Sequence, residues 1–94
     1  MSVETITSVK NPLVASLRAL KTAKARRETG LFLVEGETML NEALSSLLIP
    51  RALLAEAETP LAARFPEARL VTRGVLEAVC DTKTPQGMCA AFEL

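Results

Sequence analysis

The sequence predicts a three-layer α/β/α sandwich with about four mainly parallel strands. Helix-like and strand-like apolar patterns alternate along the chain and are joined by short connections, which is typical of layered α/β domains. The strand-like segments are continuous apolar runs, as expected for strands covered on both faces. The 94 residues support one domain, residues 1–94, and one modest core, and the 49% apolar and 23% charged composition is that of a globular protein.

The first helix is predicted from its capping residues and its apolar spacing. Asn11 is a good N-cap and Pro12 suits the first helical position. Four apolar side chains then share one helical face: Leu13, Val14, Leu17 and Leu20. A longer helix would place Lys24 on this apolar face, so we expect the helix to end or bend near residues 21–23. Residues 24–27 then form a separate basic turn.

Gly30 ends this basic turn, and strand–helix units follow. The strands are predicted at residues 31–34, 52–55, 68–71 and 88–92. The helices between them begin after Glu35-Gly36, at Thr59-Pro60 and at Thr72. One side of the first of these helices is predicted to carry Met39, Leu40, Ala43, Leu44 and Leu47.

The formal net charge of zero conceals two oppositely charged halves of the chain. Residues 1–27 contain six basic and one acidic side chain, a net charge of +5, whereas residues 28–94 contain five and ten, a net charge of −5. Five bases fall between positions 18 and 27: Arg18, Lys21, Lys24, Arg26 and Arg27. Such a cluster attracts phosphate groups, but cations also complement the C-terminal dipole of a helix. Both interpretations stay open on charge alone.

Two further segments are candidate binding elements. Glu35-Gly36 lies where the first strand meets the next helix, a position at which open α/β sheets collect ligands. The alternative is that Glu35 only favours the helix N-terminus electrostatically. The polar segment 81–87 carries Lys83, a candidate phosphate contact. The alternative is that this segment is an ordinary connecting loop, and its residue spacing does not separate the two.

Several classes of site are excluded by composition. The chain has no His, so it has no imidazole base, Ser-His-Asp triad or His-ligated zinc. Neither of the phosphate-binding motifs G-x-G-x-x-G and G-x-x-x-x-G-K-[ST] occurs. The only aromatic residues are three Phe, so a surface for stacking RNA bases is poorly supplied. Cys80 and Cys89 are predicted to be reduced thiols, and we expect no metal, no cofactor and no catalysis in this chain alone. With no signal peptide or membrane-spanning run, a cytoplasmic location and no membrane partner are expected.

Motifs along most of the chain together resemble one family. They are Ile6–Ser8, Asn11-Pro12, the basic segment 24–30 leading into strand 31–34 and Glu35-Gly36, the segment Asn41–Leu44, and the loop Asp81–Gly87. This combination resembles the N-terminal substrate-binding domain of SpoU-type (TrmH-type) RNA 2′-O-ribose methyltransferases. Six residues match the family signature: Asn11, Lys24, Arg26, Arg27, Glu35 and Gly36. Arg18, Lys21 and Lys83 are added to the candidate RNA-binding set by the charge argument.

The resemblance implies the fold of the small ribosomal proteins that bind kink-turn RNA, with structured rRNA or tRNA as partner. It also implies that the chemistry belongs to a knotted SPOUT domain after residue 94, which binds S-adenosylmethionine and forms a homodimer. Two alternatives are a stand-alone protein that binds kinked RNA and a protein–protein interaction module. The expected role of this chain is RNA recognition for a methyltransferase.

Overall fold

A computed structural model describes residues 5–80 and 87–93 of the chain. The helices in these ranges are α1 (Pro12–Ala19), α2 (Ala23–Thr29), α3 (Glu37–Ser45), α4 (Pro60–Arg64) and α5 (Arg73–Cys80). The strands are β1 (Leu31–Glu35), β2 (Pro50–Glu56), β3 (Arg69–Val71) and β4 (Met88–Glu93). The predicted site residue Lys83 lies outside the described residues. The predicted order of elements is otherwise confirmed, with α2 as an additional helix.

The four strands form one sheet in the order β1-β4-β2-β3. Strand β4 is antiparallel to both β1 and β2, and only β2 and β3 pair in parallel. The prediction of a mainly parallel sheet was therefore wrong in this detail. Strand β4 is one of the two inner strands and the most buried strand, with residues 88–92 all buried.

The path of α5 explains the direction of β4. A strand–helix–strand unit gives parallel strands when the helix returns the chain to the opposite end of the sheet. Here Cys80, the last residue of α5, lies beside Cys89 near the start of β4. Gly87, just before β4, accepts a hydrogen bond from the backbone N–H of Glu56 at the end of β2. Strand β4 thus enters the sheet where β2 ends and runs the opposite way.

Helices cover both faces of the sheet, which confirms the three-layer α/β/α architecture. Side chains alternate between the faces along each strand, as the two-residue period of a strand requires. One face packs against α1 and α5 around Leu17, Leu54 and Leu76. The other packs against α3 and α4 around Leu40 and Phe92. We call the first the α1/α5 face.

The first two helices are separate because each has its own cap. Helix α1 ends at Ala19, and Thr22 then caps α2 by accepting a hydrogen bond from the Ala25 N–H at 3.2 Å. Gly30 ends α2 in the left-handed conformation, with φ of 70°, as predicted. The prediction that the chain breaks before Lys24 is confirmed, but the basic turn is a helix of seven residues.

The predicted apolar side of α3 is only partly buried. Leu40 and Ala43 are buried, whereas Met39 is 54% exposed. Leu47 lies beyond the helix, is 87% exposed, and has φ of +64°, because the chain reverses there before β2. All of the large apolar side chains that are exposed in the described part of the chain fall in this region: Met39, Leu44, Leu47, Leu48 and Ile49.

Candidate nucleic-acid interface

The basic residues of α1, of α2 and of the link between them form one surface, which we call the α1–α2 surface. Its cationic side chains are Arg18, Lys21, Lys24, Arg26 and Arg27. No acidic residue occurs between positions 5 and 27, so Glu28 is the only acid in α1, in α2 or in the link between them. The first acid is Glu28, whose carboxylate is 4.0 Å from the Lys24 ammonium in an exposed i,i+4 pair. The surface therefore keeps a strong positive potential.

Arg18 and Arg27 are the cations most available to a ligand. Both side chains are exposed, and neither guanidinium takes part in a hydrogen bond or ion pair within the described part of the chain. In the Lys24–Glu28 pair the lysine side chain is 80% exposed, and such surface ion pairs contribute less than about 1 kcal/mol to the free energy of unfolding. A phosphate group can therefore replace Glu28 as the partner of Lys24 at little cost.

Lys21 and Arg26 have structural contacts instead. The Arg26 Nη1 donates to the carbonyl oxygen of Leu20 at 2.9 Å, at the end of α1. The Lys21 Nζ donates to the carbonyl oxygen of Ala78 in α5, also at 2.9 Å. Both cations satisfy carbonyl groups near helix ends, where the dipole favours positive charge. Arg18 and Arg27 also lie in the last turns of α1 and α2, but neither guanidinium donates to a helix carbonyl in the described part of the chain.

Asn11 is likewise occupied by the fold. Its Oδ1 accepts hydrogen bonds from the N–H groups of Leu13 at 2.9 Å and Val14 at 3.3 Å. The predicted N-cap is therefore present. Only the side-chain NH₂ of Asn11 is left for an external ligand.

Glu35 and Gly36 lie at a different end of the sheet from α2. Strand β1 separates them from α2, and Leu31 and Glu35 at its two ends are about 13 Å apart. Gly36 has φ of 89° and ψ of 153°, a conformation open essentially only to glycine, and its N–H donates to the Met88 carbonyl oxygen. The structure thus gives Gly36 a backbone role and does not bring Glu35 into the α1–α2 surface.

The two cysteines are free, with Cys80 half-buried and Cys89 buried, as predicted. The hydrogen bond with Cys80, and then burial, raise the pKa of the Cys89 thiol, and the Glu35 carboxylate adds to this rise. A buried, protonated thiol is a poor nucleophile. Among the residues that the structure describes, no cluster of His, Cys, Asp or Glu is arranged to hold a metal ion. In the same ranges, no helix is long and apolar enough to cross a membrane.

One polar concavity was not predicted from the sequence. It measures about 400 Å³ and lies between the segment before α1 and the start of β3. Lys10 and Arg69 both line it. Charge counted along the chain assigned Arg69 to the acidic half, and only the pairing of Ile6 with β3 brings the two cations to one place.

Comparison with known proteins identifies the family. The MRM3-like substrate binding domain matches residues 11–90, which is most of the chain. The chain belongs to this family. Among curated proteins, it is 33% identical over 92 residues to the 23S rRNA (guanosine(2553)-2′-O)-methyltransferase RlmP of Bacillus subtilis (strain 168). That alignment covers 95% of this chain and 37% of RlmP.

Solved structures show the same MRM3-like fold. An rRNA methyltransferase from Sinorhizobium meliloti superposes with a TM-score of 0.80 at 25% identity, covering 100% of this chain and 38% of that one. Its AdoMet-bound form gives a TM-score of 0.79 at 26% identity, covering 97% and 36%. The SpoU methyltransferase AviRb from Streptomyces viridochromogenes shares the fold, with a TM-score of 0.72 at 20% identity, covering 90% and 36%. The chain thus spans less than two fifths of the length of these proteins, and the resemblance to SpoU-type enzymes is confirmed.

Proposed function

We propose that this chain binds structured ribosomal RNA and recognises the substrate of an S-adenosylmethionine-dependent RNA 2′-O-ribose methyltransferase. The observation that carries the proposal is the α1–α2 surface, where Arg18 and Arg27 are exposed and lack partners in the described part of the chain. Membership of a substrate-binding family and the similarity to RlmP support RNA as the partner.

The chemistry follows from the groups that this surface presents. Guanidinium and ammonium groups contact phosphate oxygens, which fix the position of an RNA but carry no sequence information. The only aromatic contact between rings in the described part of the chain joins Phe32 and Phe92, with centroids 6.2 Å apart and Phe92 fully buried. RNA shape, rather than base stacking, would therefore determine the target.

The proposal extends to a longer enzyme. Residues 1–94 would form its RNA-binding domain, and a knotted catalytic domain after residue 94 would bind S-adenosylmethionine and form the homodimer. The AdoMet-bound neighbours support that cofactor for such a domain. In the same proposal, residues 1–94 themselves bind no cofactor. The protein would act in the cytoplasm, where ribosomal RNA is present.

A direct titration tests RNA binding. The 94-residue chain is added to a labelled 23S rRNA fragment containing guanosine 2553, the nucleotide in the name of RlmP, at two salt concentrations. Binding that weakens steeply with salt is expected, because each phosphate contact releases counterions. No binding at the lower salt concentration, or binding that salt does not change, would contradict the proposal.

Two alternatives predict different behaviour. A stand-alone protein for kinked RNA would bind a kink-turn helix at least as tightly as the rRNA fragment. A protein-interaction module would use the exposed apolar side chains of residues 39–49, because clusters of this kind commonly mark protein interfaces. Gel filtration without RNA distinguishes the protein-interaction module from the two RNA-binding functions, since a module that pairs with itself elutes as a larger species.

A further inference from the structure

The concavity between the N-terminal segment and β3 gathers polar and basic groups from two distant parts of the sequence. The polar residues that line it are Thr5, Thr7, Ser8, Lys10, Asn11 and Arg69. No carboxylate is among its described lining residues. It is separate from the α1–α2 surface, because it lies at the start of α1 whereas Arg18 and Lys21 lie at the end.

The two cations in this concavity have no partners within the described residues. No hydrogen bond or ion pair there involves the Lys10 ammonium or the Arg69 guanidinium. By contrast, Arg51, Arg64 and Arg73 each lie within 3.4 Å of a carboxylate. Like charges that share a concavity repel each other, and a bound anion removes that cost.

The remaining groups in the concavity can donate hydrogen bonds. Ser8 Oγ accepts the Lys10 N–H at 3.1 Å, so its hydroxyl proton is left to donate. Thr5 and Thr7 add two hydroxyl groups, and Asn11 adds its NH₂. The N-terminus of α1 is not itself the anion site, because Pro12 has no N–H and Asn11 Oδ1 already accepts the next two N–H groups. A phosphate, which only accepts hydrogen bonds when ionised, suits this set.

The backbone holds the concavity in place. Ile6 pairs in parallel with Val71 at the edge of the sheet. The Ile6 N–H donates to the Leu70 carbonyl at 2.8 Å, and the Thr72 N–H donates to the Ile6 carbonyl at 3.1 Å. The walls are therefore formed before a ligand arrives, which lowers the entropic cost of binding.

We propose that this concavity binds a phosphate group of the RNA backbone, with Lys10 and Arg69 as the charged contacts. The proposal rests on RNA as the partner of the α1–α2 surface. Helix α1 is about 12 Å long, so the concavity at its start and Arg18 in its last turn form two anchors separated by roughly that length. The exposed residues of α1 between them, Pro12, Ala15 and Ser16, are compact and uncharged, which lets a backbone approach closely.

Inorganic phosphate tests the site without any RNA. Backbone amide resonances of the 94-residue chain are recorded by NMR during a phosphate titration at constant ionic strength, with chloride as the matched salt. Saturable shifts at Ser8, Lys10, Asn11 and Arg69 are expected, and the double variant Lys10→Gln/Arg69→Gln should lose them while keeping its other resonances. Shifts that are absent, or equal in chloride, would overturn the proposal whether or not RNA binds elsewhere.

RNA binding by the same variant identifies the source of the phosphate. Lys10→Gln/Arg69→Gln should lower affinity for the rRNA fragment about tenfold at low salt and make the slope of log affinity against log salt shallower by roughly 0.7 to 0.9, as for one lost phosphate contact. Arg51→Gln/Arg64→Gln removes the same charge elsewhere and should leave the slope unchanged. If the wild-type chain binds RNA and both double variants behave alike, this inference fails and the proposed function stands. If inorganic phosphate shifts the amide resonances of Ser8, Lys10, Asn11 and Arg69 but the rRNA fragment does not, the phosphate that this concavity binds does not come from RNA.

Discussion

The Arg26 guanidinium donates a hydrogen bond from Nη1 to the carbonyl oxygen of Leu20 across 2.9 Å, so that α2 closes the end of α1. Arg27, the next residue, is exposed and makes no such contact in the described part of the chain. Two adjacent residues of the same type thus have different roles. Arg26 stabilises the α1–α2 surface, and Arg27 is available to a ligand.

Replacing each of these arginines by glutamine separates the two roles. Arg26→Gln should lower the free energy of unfolding by about 1 kcal/mol, because a charge-assisted hydrogen bond to a helix end is lost. Arg27→Gln should change it by less than about 0.5 kcal/mol, as is usual for exposed sites. Urea denaturation measures both, and equal values for the two variants would contradict the assignment.

The Oδ1 of Asn11 has a role in the fold that is separate from any contact of its NH₂ with phosphate. Asn11→Ala removes the side-chain acceptor for the N–H groups of Leu13 and Val14 and should lower the free energy of unfolding by about 1 kcal/mol. Asn11→Ser restores a cap and should recover most of that loss. Thermal denaturation checks the series, and an Asn11→Ala variant as stable as the wild-type chain would contradict the capping role.

The left-handed conformation of Leu47 predicts a stabilising substitution. Its φ of +64° is unfavourable for leucine, and its side chain is 87% exposed, so little packing is lost when it is replaced. Leu47→Asn should raise the free energy of unfolding by about 0.5 to 1 kcal/mol, since asparagine adopts this conformation more readily. Leu48→Asn is the matched control, because Leu48 is less exposed and has no positive φ, and it should not stabilise the chain.

Cys89 predicts a loss of stability at alkaline pH. The raised pKa keeps its thiol protonated in the folded state, whereas the unfolded chain loses that proton near its ordinary value of 9.0. The unfolded state then binds fewer protons, so this contribution to stability is complete below pH 9 and declines above it, on the order of 1 kcal/mol per pH unit. Denaturation between pH 7 and 10.5 should show a shallower decline in Cys89→Ala, and identical slopes would contradict the account.

Local sequence signals predicted most elements, because caps and apolar spacing act over a few residues. Asn11-Pro12 marks the start of α1, and Thr72 caps α5 through a 3.3 Å hydrogen bond from the Val75 N–H, both as predicted. Helix α2 was missed since its Thr22 cap was hidden within a run of basic residues.

Long-range relationships were not predictable from the same signals. Strand β4 is antiparallel because α5 ends beside Cys89, a contact that no periodicity reveals. The basic cluster was found by counting charge. Which of its cations bond to the fold depends on the carbonyl groups within reach, and these are present for Lys21 and Arg26. Arg69 joins Lys10 only through the pairing of Ile6 with β3.

The salt dependence of RNA binding by Arg18→Gln/Arg27→Gln tests the central claim most directly. Neither residue has a partner in the described part of the chain, so the variant should fold normally and lose two phosphate contacts. With the rRNA fragment, the slope of log affinity against log salt should become shallower by roughly 1.4 to 1.8, and Arg51→Gln/Arg64→Gln should keep the wild-type slope. A slope that is unchanged in Arg18→Gln/Arg27→Gln, or equally reduced in both double variants, would contradict the assignment of the α1–α2 surface to RNA.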